Sequence, residues 1–229
     1  MTSQAEALTV DPAPLVERYA AQAHTFKPRP VDAALRALDV VLAAAGLLVT
    51  APLMAICALV VRMSGRPVFY RGARVGRLGA PFTMYKFRTL EVGAEQRLGR
   101  RLGEELTQLT TAELTRAGVR LRRSKLDELP QLWNVLIGDM SLVGPRPIRP
   151  AFFEELCLEI PAYWQRLVVR PGMTGFAQLR LTREMTWAEK LAHDFEWIAD
   201  RSLGLYVSML AETAVALVTR PPRGPVGRI

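Results

Sequence analysis

The chain has 229 residues, with 30 Lys and Arg against 22 Asp and Glu, and its net charge of +8 points to anionic partners. That length holds one sizeable domain, or a domain with a membrane element. There is no zinc-finger spacing and no basic helix interleaved with aromatics, so nucleic acid is not expected; Cys57 and Cys157 lack a framework spacing and read as reduced thiols, and His24 and His193 are too few and too far apart for a metal cluster or a triad.

Residues 1–30 carry Pro12, Pro14, Pro28 and Pro30, mixed charges and a short helical patch at 16–22, and read as a surface arm. The apolar run starts late, with no clean small-residue cleavage site after it, which argues against a signal peptide. From Val40 to Val61 there are 22 residues without a charge, long enough for one membrane-spanning helix. Two features oppose that default. Pro52 removes a backbone donor in mid-run and disturbs the turn around the Leu48 carbonyl, while Thr50 can satisfy a freed carbonyl. Lys27, Arg29 and Arg36 precede the run and Arg62, Arg66, Arg71, Arg74 and Arg77 follow it, so the distribution of positive charge selects neither orientation. A helix over 31–64 that enters the membrane, bends at Thr50 and Pro52 and returns to the same face satisfies both flanks.

After the turn at Gly65-Arg66-Pro67, residues 68–71 (VFYR) and 81–87 (PFTMYKF) read as a small β-hairpin bracketed by glycines. Alternation would place Lys86 and Arg88 on one face, either as a decorated edge strand or as an anion-binding pair. Residues 91–117 are polar and helical, with charges spaced for i,i+4 pairing, and are assigned no chemistry. The stretch 121–147, LRRSKLDELPQLWNVLIGDMSLVGPRP, holds the chemistry. Pro130 suits a first helical turn, which sets Asp127 and Glu128 just before a helix start. Adjacent acids there are either simple capping or, among arginines, the makings of metal-assisted phosphate chemistry. Pro145 and Pro147 fix two backbone angles around Arg146, giving either a pre-positioned phosphate clamp or an exposed turn. Residues 150–170 read as one amphipathic helix through Phe152, Phe153, Leu156, Ile160, Trp164 and Leu167, facing a core or a membrane interface. PGMTG at 171–175 is a Gly-rich turn whose amides could meet an anion. Asp194 to Thr219 forms one or two helices, and 220–229 is a basic, proline-rich tail.

Three segments in order, MYKFRTL at 84–90, LRRSKLDELPQLWNVLIGDMSLVGPRP at 121–147 and PGMTGFAQLR at 171–180, resemble the bacterial sugar transferases, the monotopic polyprenol-phosphate phosphoglycosyl transferases. The likeness covers roughly Arg36 to Thr213. It implies a mostly helical α+β fold with a re-entrant membrane hairpin, a small β-hairpin and interfacial amphipathic helices. The domain order would be an arm (1–30), the re-entrant helix (31–64), the catalytic domain (65–219) and the tail (220–229). It also implies transfer of a sugar-1-phosphate from a nucleotide diphosphosugar, of the UDP-sugar class, to undecaprenyl phosphate on the cytoplasmic face of the bacterial inner membrane, with UMP released. Asp127 would be the nucleophile and a Mg²⁺ ligand, with Glu128 supporting it. Lys86, Arg88, Arg122 and Arg146, the last held by Pro145 and Pro147, would bind phosphates. Inner-membrane lipids are expected partners, and a homodimer is left open. The likeness has gaps: the Ser-Pro of the usual bend is Thr50-Ala51-Pro52 here, the usual acidic and basic lead-in positions read Thr111 and Glu113, with Thr115 and Gly118 matching, and a usual Asp is Tyr206. Two rivals stand beside this reading. A non-catalytic scaffold on acidic lipids explains the charge but not the Asp-Glu pair, and a metal-dependent glycosyl transferase would release UDP rather than UMP.

Overall fold

A computed structural model of the protein describes residues 28–94, 112–180 and 185–219. Most of the N-terminal arm, the middle of the polar 91–117 segment with Thr111, and the basic tail lie outside the described residues.

The apolar run and its flanks form one helix, α1 (Val31–Met63, 33 residues). At 1.5 Å per residue such a helix is about 50 Å long. Helical structure is continuous through Pro52, so the two arms expected from the sequence are joined as a single element. The Thr50 hydroxyl donates to the Gly46 carbonyl (2.6 Å), the side-chain bond that tends to bend helices. One stripe of α1 faces the rest of the protein: Leu35, Asp39 and Ala43 in its first half, Cys57 and Val61 in its second. These positions enter three different apolar clusters. Leu35 packs with Val143, Tyr206 and Met209, Ala43 with Met84, Leu132 and Met140, and Cys57 and Val61 with Phe87 and Leu121. The opposite face is apolar and open, with Leu48 at 78% and Val49 at 77% exposure. By length and composition α1 is apolar enough to cross a membrane.

The expected hairpin is present. β1 (Phe69–Val75) pairs antiparallel with β2 (Pro81–Phe87), placing Tyr70 opposite Lys86, and a short 3₁₀ turn, Arg77–Gly79, joins them. Helix α2 (Arg116–Ser124) starts on Thr115, whose hydroxyl accepts from Gly118 N (2.8 Å). A Cβ on Gly118 would lie 2.0 Å from the Thr89 carbonyl, so only glycine lets α2 approach that backbone. A 3₁₀ turn, Leu126–Glu128, then leads through Pro130 into α3 (Gln131–Ile137).

Beyond α3 the structure holds a second sheet that the sequence reading lacked. β3 (Ser141–Val143) pairs parallel with β4 (Gly172–Thr174). The single helix expected over 150–170 is two elements, α4 (Pro150–Glu159) and a 3₁₀ segment, Tyr163–Val168. Pro161 cannot donate in a helical ladder and its ring crowds the preceding turn, so the chain breaks there. The apolar face of both pieces is core: Phe153, Leu156, Tyr163 and Leu167 are buried together with Val75 and Leu191. A short helix, α5 (Phe176–Leu179), precedes α6 (Trp187–Asp200), which begins on a Thr186–Glu189 capping box, and α7 (Leu203–Thr219). Tyr206 and Met209 of α7 are buried while Val207, Val215 and Val218 are exposed, so α7 resembles α1 in carrying an open apolar face.

Candidate active site

Local structure delivers the Asp-Glu pair to the β2 strand. Lys125 adopts a left-handed conformation (φ 60°), which turns the chain out of α2 and into the 3₁₀ turn bearing Asp127 and Glu128. A non-glycine residue there costs roughly 1 kcal/mol, a strain typical of functional turns. Asn134, fully buried on α3, locks that helix to β2: its amide donates to Thr83 O (2.7 Å) and its carbonyl accepts from Tyr85 N (3.0 Å). The residue after Tyr85 is Lys86, so this pair of bonds fixes where Lys86 meets the carboxylates.

Glu128 sits between two cations. Its Oε1 accepts from Lys86 Nζ (2.7 Å) and from Arg146 Nη2 (3.1 Å). Burial pushes the Glu128 carboxyl up, but Arg146, Lys86 and Lys125 together outweigh it and hold it well below the ordinary carboxylate range. Asp127 differs. It is 6% exposed, and its Oδ1 has no hydrogen-bond partner among the described residues. Burial, reinforced by the Glu128 charge, raises its carboxyl above the ordinary value, against the opposing pull of Lys86, Arg122 and Lys125. Two adjacent carboxylates are thus driven in opposite directions. One is pinned as an ion-pair hub, and the other is buried near Lys86, Arg122 and Lys125 with one oxygen unpartnered among the described residues.

Arg122 belongs to this cluster: its Nε donates to Thr89 Oγ1 (2.9 Å), and burial lowers its pKa while Asp127 and Glu128 raise it. Arg146 reaches in from the opposite side with its side chain half exposed. It is held from behind, because its carbonyl accepts from Arg166 Nη2 (2.8 Å) and buried Arg166 is ion-paired with Asp194 (3.0 Å). The flanking turn rests on backbone. Gly172 N donates to Pro145 O and Gly144 N to Thr174 O, both at 2.8 Å. A Cβ at Gly144 would come within 2.5 Å of Arg170 O, and one at Gly172 within 2.1 Å of Gly144 N.

Two sequence expectations change here. Arg88 does not join the carboxylates. Its guanidinium donates to Pro67 O (2.7 Å), Leu90 O (2.6 Å) and Ser64 O (3.0 Å), closing the C-terminal end of α1. Lys86 and Arg88 were expected on one strand face, but β2 ends at Phe87 and Arg88 turns toward α1. The PGMTG segment is a buttress rather than an anion cradle: Gly172–Thr174 is strand β4, and the Gly172 amide is engaged by the Pro145 carbonyl.

Sequence reasoning also missed three residues. Gln131, four positions after Asp127, is 3% exposed, and its Nε2 has no partner among the described residues, so it is a second buried polar atom left open in this stretch. Polarity at i+4 from an acid was the available signal. Asp39 and Tyr206 form the other pair. The Tyr206 hydroxyl donates to Asp39 Oδ1 (2.7 Å), which also accepts from Ser141 Oγ (2.9 Å) and Leu142 N (2.8 Å), tying α1, β3 and α7 together. A lone acid at the edge of an apolar run was the clue to Asp39.

Among the described residues no group of three His, Cys, Asp or Glu side chains could hold a metal by itself. A divalent cation that takes one carboxylate and completes its shell with substrate phosphates and water is compatible with the open Asp127 oxygen.

The bacterial sugar transferase family matches residues 31–220. The chain is 35% identical over 203 residues to a UDP-N-acetylgalactosamine-undecaprenyl-phosphate N-acetylgalactosaminephosphotransferase of Aeromonas hydrophila, covering 86% of this chain and 47% of that protein. It is 39% identical over 197 residues to a UDP-glucose:undecaprenyl-phosphate glucose-1-phosphate transferase of Caulobacter vibrioides, covering 82% and 71%. It is 36% identical over 197 residues to the exopolysaccharide production protein PSS of Rhizobium leguminosarum bv. phaseoli, covering 81% and 95%. The chain therefore spans about half of the first relative and most of the other two. With a match over nearly all of the described residues, the chain belongs to the bacterial sugar transferase family.

Proposed function

We propose that the chain transfers a sugar-1-phosphate from a UDP-sugar to undecaprenyl phosphate, releasing UMP, as a first membrane step in surface glycan assembly. The observation that carries this reading is the buried Asp127 oxygen, without a partner among the described residues and set among Lys86, Arg122 and the Glu128–Arg146 pair. A nucleotide diphosphosugar brings negative charge to the cations, and its sugar-linked phosphorus to the carboxylate. Asp127 Oδ1 attacks that phosphorus, an O–P bond forms, the bond to the bridging oxygen breaks, and UMP leaves. A phosphate oxygen of the lipid then attacks the same phosphorus and displaces the Asp127 carboxylate, leaving a polyprenyl diphosphosugar. Glu128 holds Lys86 and Arg146 in place to stabilise charge developing on the phosphoryl oxygens. Mg²⁺, held by Asp127 and the substrate phosphates, would supply charge neutralisation and alignment. A panel of UDP-sugars with polyprenyl phosphate tests the reading through its products: UMP supports it, UDP points to plain glycosyl transfer, and no turnover favours the lipid scaffold.

Arg146→Lys keeps the charge and loses the planar fork, so kcat/KM should fall about tenfold or more. Unchanged kinetics would reduce Arg146 to general charge.

The same reading seats α1 against lipid from the cytoplasmic side: one stripe of the helix lines three internal clusters along its length, and its open apolar face is left for lipid. Single cysteines at Pro28 and at Ser202, in a background without Cys57 and Cys157, should both resist a membrane-impermeant thiol reagent in intact cells and react once the membrane is opened. Labelling at Pro28 in intact cells would mean that α1 spans.

A further inference from the structure

We propose that an arginine-lined cleft at the N-terminal end of α1, separate from the Asp127 site, binds the phosphate headgroup of an acidic membrane lipid. The cleft is open, about 410 Å³, and Arg36, Arg77, Arg170 and Arg201 line it together with Asp32 and Asp39. Its charges do not cancel. Arg201 is ion-paired with Asp32 through two contacts of 2.6 and 3.1 Å. Asp39 is occupied by Ser141, Leu142 and Tyr206, none of them a cation. Arg36 donates to the carbonyls of Val135 (2.6 Å) and Leu136 (2.8 Å), and Arg170 Nε to that of Gly138 (2.9 Å). Carbonyls offset only part of a full charge, so four guanidiniums against two carboxylates leave two positive charges in excess. Arg77 Nε is buried and has no hydrogen-bond partner among the described residues. Burial, then Arg77 and Arg36, lower the pKa of Arg170 against the opposing pull of Asp39 and Asp32, so these cations lie close enough to repel one another. An oxyanion would remove that repulsion and meet the planar forks that suit phosphate.

Depth separates a lipid from a soluble anion. The uncharged run of α1 begins at Val40, one residue past Asp39, and α7 begins at Leu203, two past Arg201. Val41 and Val207, near those starts, are more than half exposed. The cleft thus lies where two open apolar helices begin, at the level of headgroups if those faces meet lipid, and in this respect the inference rests on the membrane seating proposed above. It is not the catalytic site: Asp127 and Glu128 precede the first residue of α3, whereas Arg36 and Arg170 bind carbonyls at its last turn and just beyond.

The test uses the full chain in neutral detergent, titrated with dioctanoyl phosphatidylglycerol, dioctanoyl phosphatidylcholine or inorganic phosphate, with the thermal midpoint as readout. Phosphatidylglycerol should raise the midpoint saturably, and the other two should not at equal concentration. Arg77→Gln should require about tenfold more phosphatidylglycerol for half the effect. Arg77→Lys should weaken binding less, and it serves as the readout if the Gln variant does not fold. The effect should persist in Arg146→Lys. Equal shifts from phosphatidylcholine would assign the effect to acyl chains, and equal shifts from inorganic phosphate would make this a soluble-anion site. Unchanged affinity in both Arg77 variants, or loss in Arg146→Lys alone, would remove the lipid from this cleft. Each of these results overturns the proposal. Turnover plays no part in the readout, so failure here and failure of phosphoglycosyl transfer are separately visible.

Discussion

Asp127→Asn should abolish UMP release, by about a thousandfold or more, while making the protein more stable. Loss of a covalent nucleophile of that size corresponds to about 4 kcal/mol of barrier. The gain in stability has its own cause. Burial, then the Glu128 charge, raise the Asp127 carboxyl above its ordinary 3.8, despite Lys86, Arg122 and Lys125. A carboxyl raised on folding stabilises the fold fully below its unfolded pKa and loses that contribution as pH rises through the folded value. At neutral pH the ionised carboxylate is therefore a cost, which a neutral amide removes. A gain of about 1 kcal/mol would raise the midpoint by roughly 2–4 °C in a protein of this size. Turnover of the unaltered protein should decline as pH falls through the raised Asp127 value, because the protonated acid is a poor nucleophile. Near-normal turnover in the Asn variant would end the mechanism, and a lowered midpoint would show that the carboxylate is better paired than its open oxygen indicates. Mass spectrometry of the unaltered protein with UDP-sugar and no acceptor should find one phosphosugar on Asp127.

Glu128→Gln should reverse the stability result. Lys86, whose side chain is 17% exposed, would lose its 2.7 Å partner, and Arg146 its only carboxylate contact among the described residues. Removing one member of a mostly buried pair costs about 3 kcal/mol, and with both cations released, turnover should fall about a hundredfold. The Glu128 carboxyl is raised by burial but lowered further by Arg146, Lys86 and Lys125, to a net value below its ordinary 4.5. A group lowered on folding contributes stability above its unfolded pKa and loses it as pH falls through the folded one. The unaltered protein should therefore lose stability below about pH 4.5, and the Gln variant should lose much less. Thermal midpoints between pH 3 and 8 distinguish the two. Parallel curves would mean that the pair contributes little.

What was legible depended on the range of the forces involved. The clustering of Asp127 and Glu128 with cations was readable because its signals are local: an acid pair, arginines and a proline within one stretch. The β1–β2 hairpin and the start of α3 were readable for the same reason. Arg88 was not, because its role is set by carbonyls at Ser64 and Pro67, more than twenty positions back, which strand alternation cannot foresee. PGMTG looked like an anion turn because a Gly-rich segment advertises free amides, and only the parallel pairing with Ser141–Val143 shows them engaged. The break at Pro161 was missed because the apolar periodicity read over 150–170 continues across it. Tyr206, in the place of a usual Asp, makes sense only once Asp39 lies beneath its hydroxyl, since two carboxylates would repel there.

The turn carrying Arg146 rests on glycine backbones, and that has a consequence for how such a protein can change. Because Gly144, Gly172 and Gly175 would each put a Cβ within about 2.5 Å of another backbone atom, no neighbouring side chain can be resized to compensate for a substitution. Adaptation to a new donor is therefore barred from Gly144, Gly172 and Gly175. A combinatorial library seeking altered sugar preference would waste its diversity on those three positions, and a deep mutational scan should show them as three nearly empty columns.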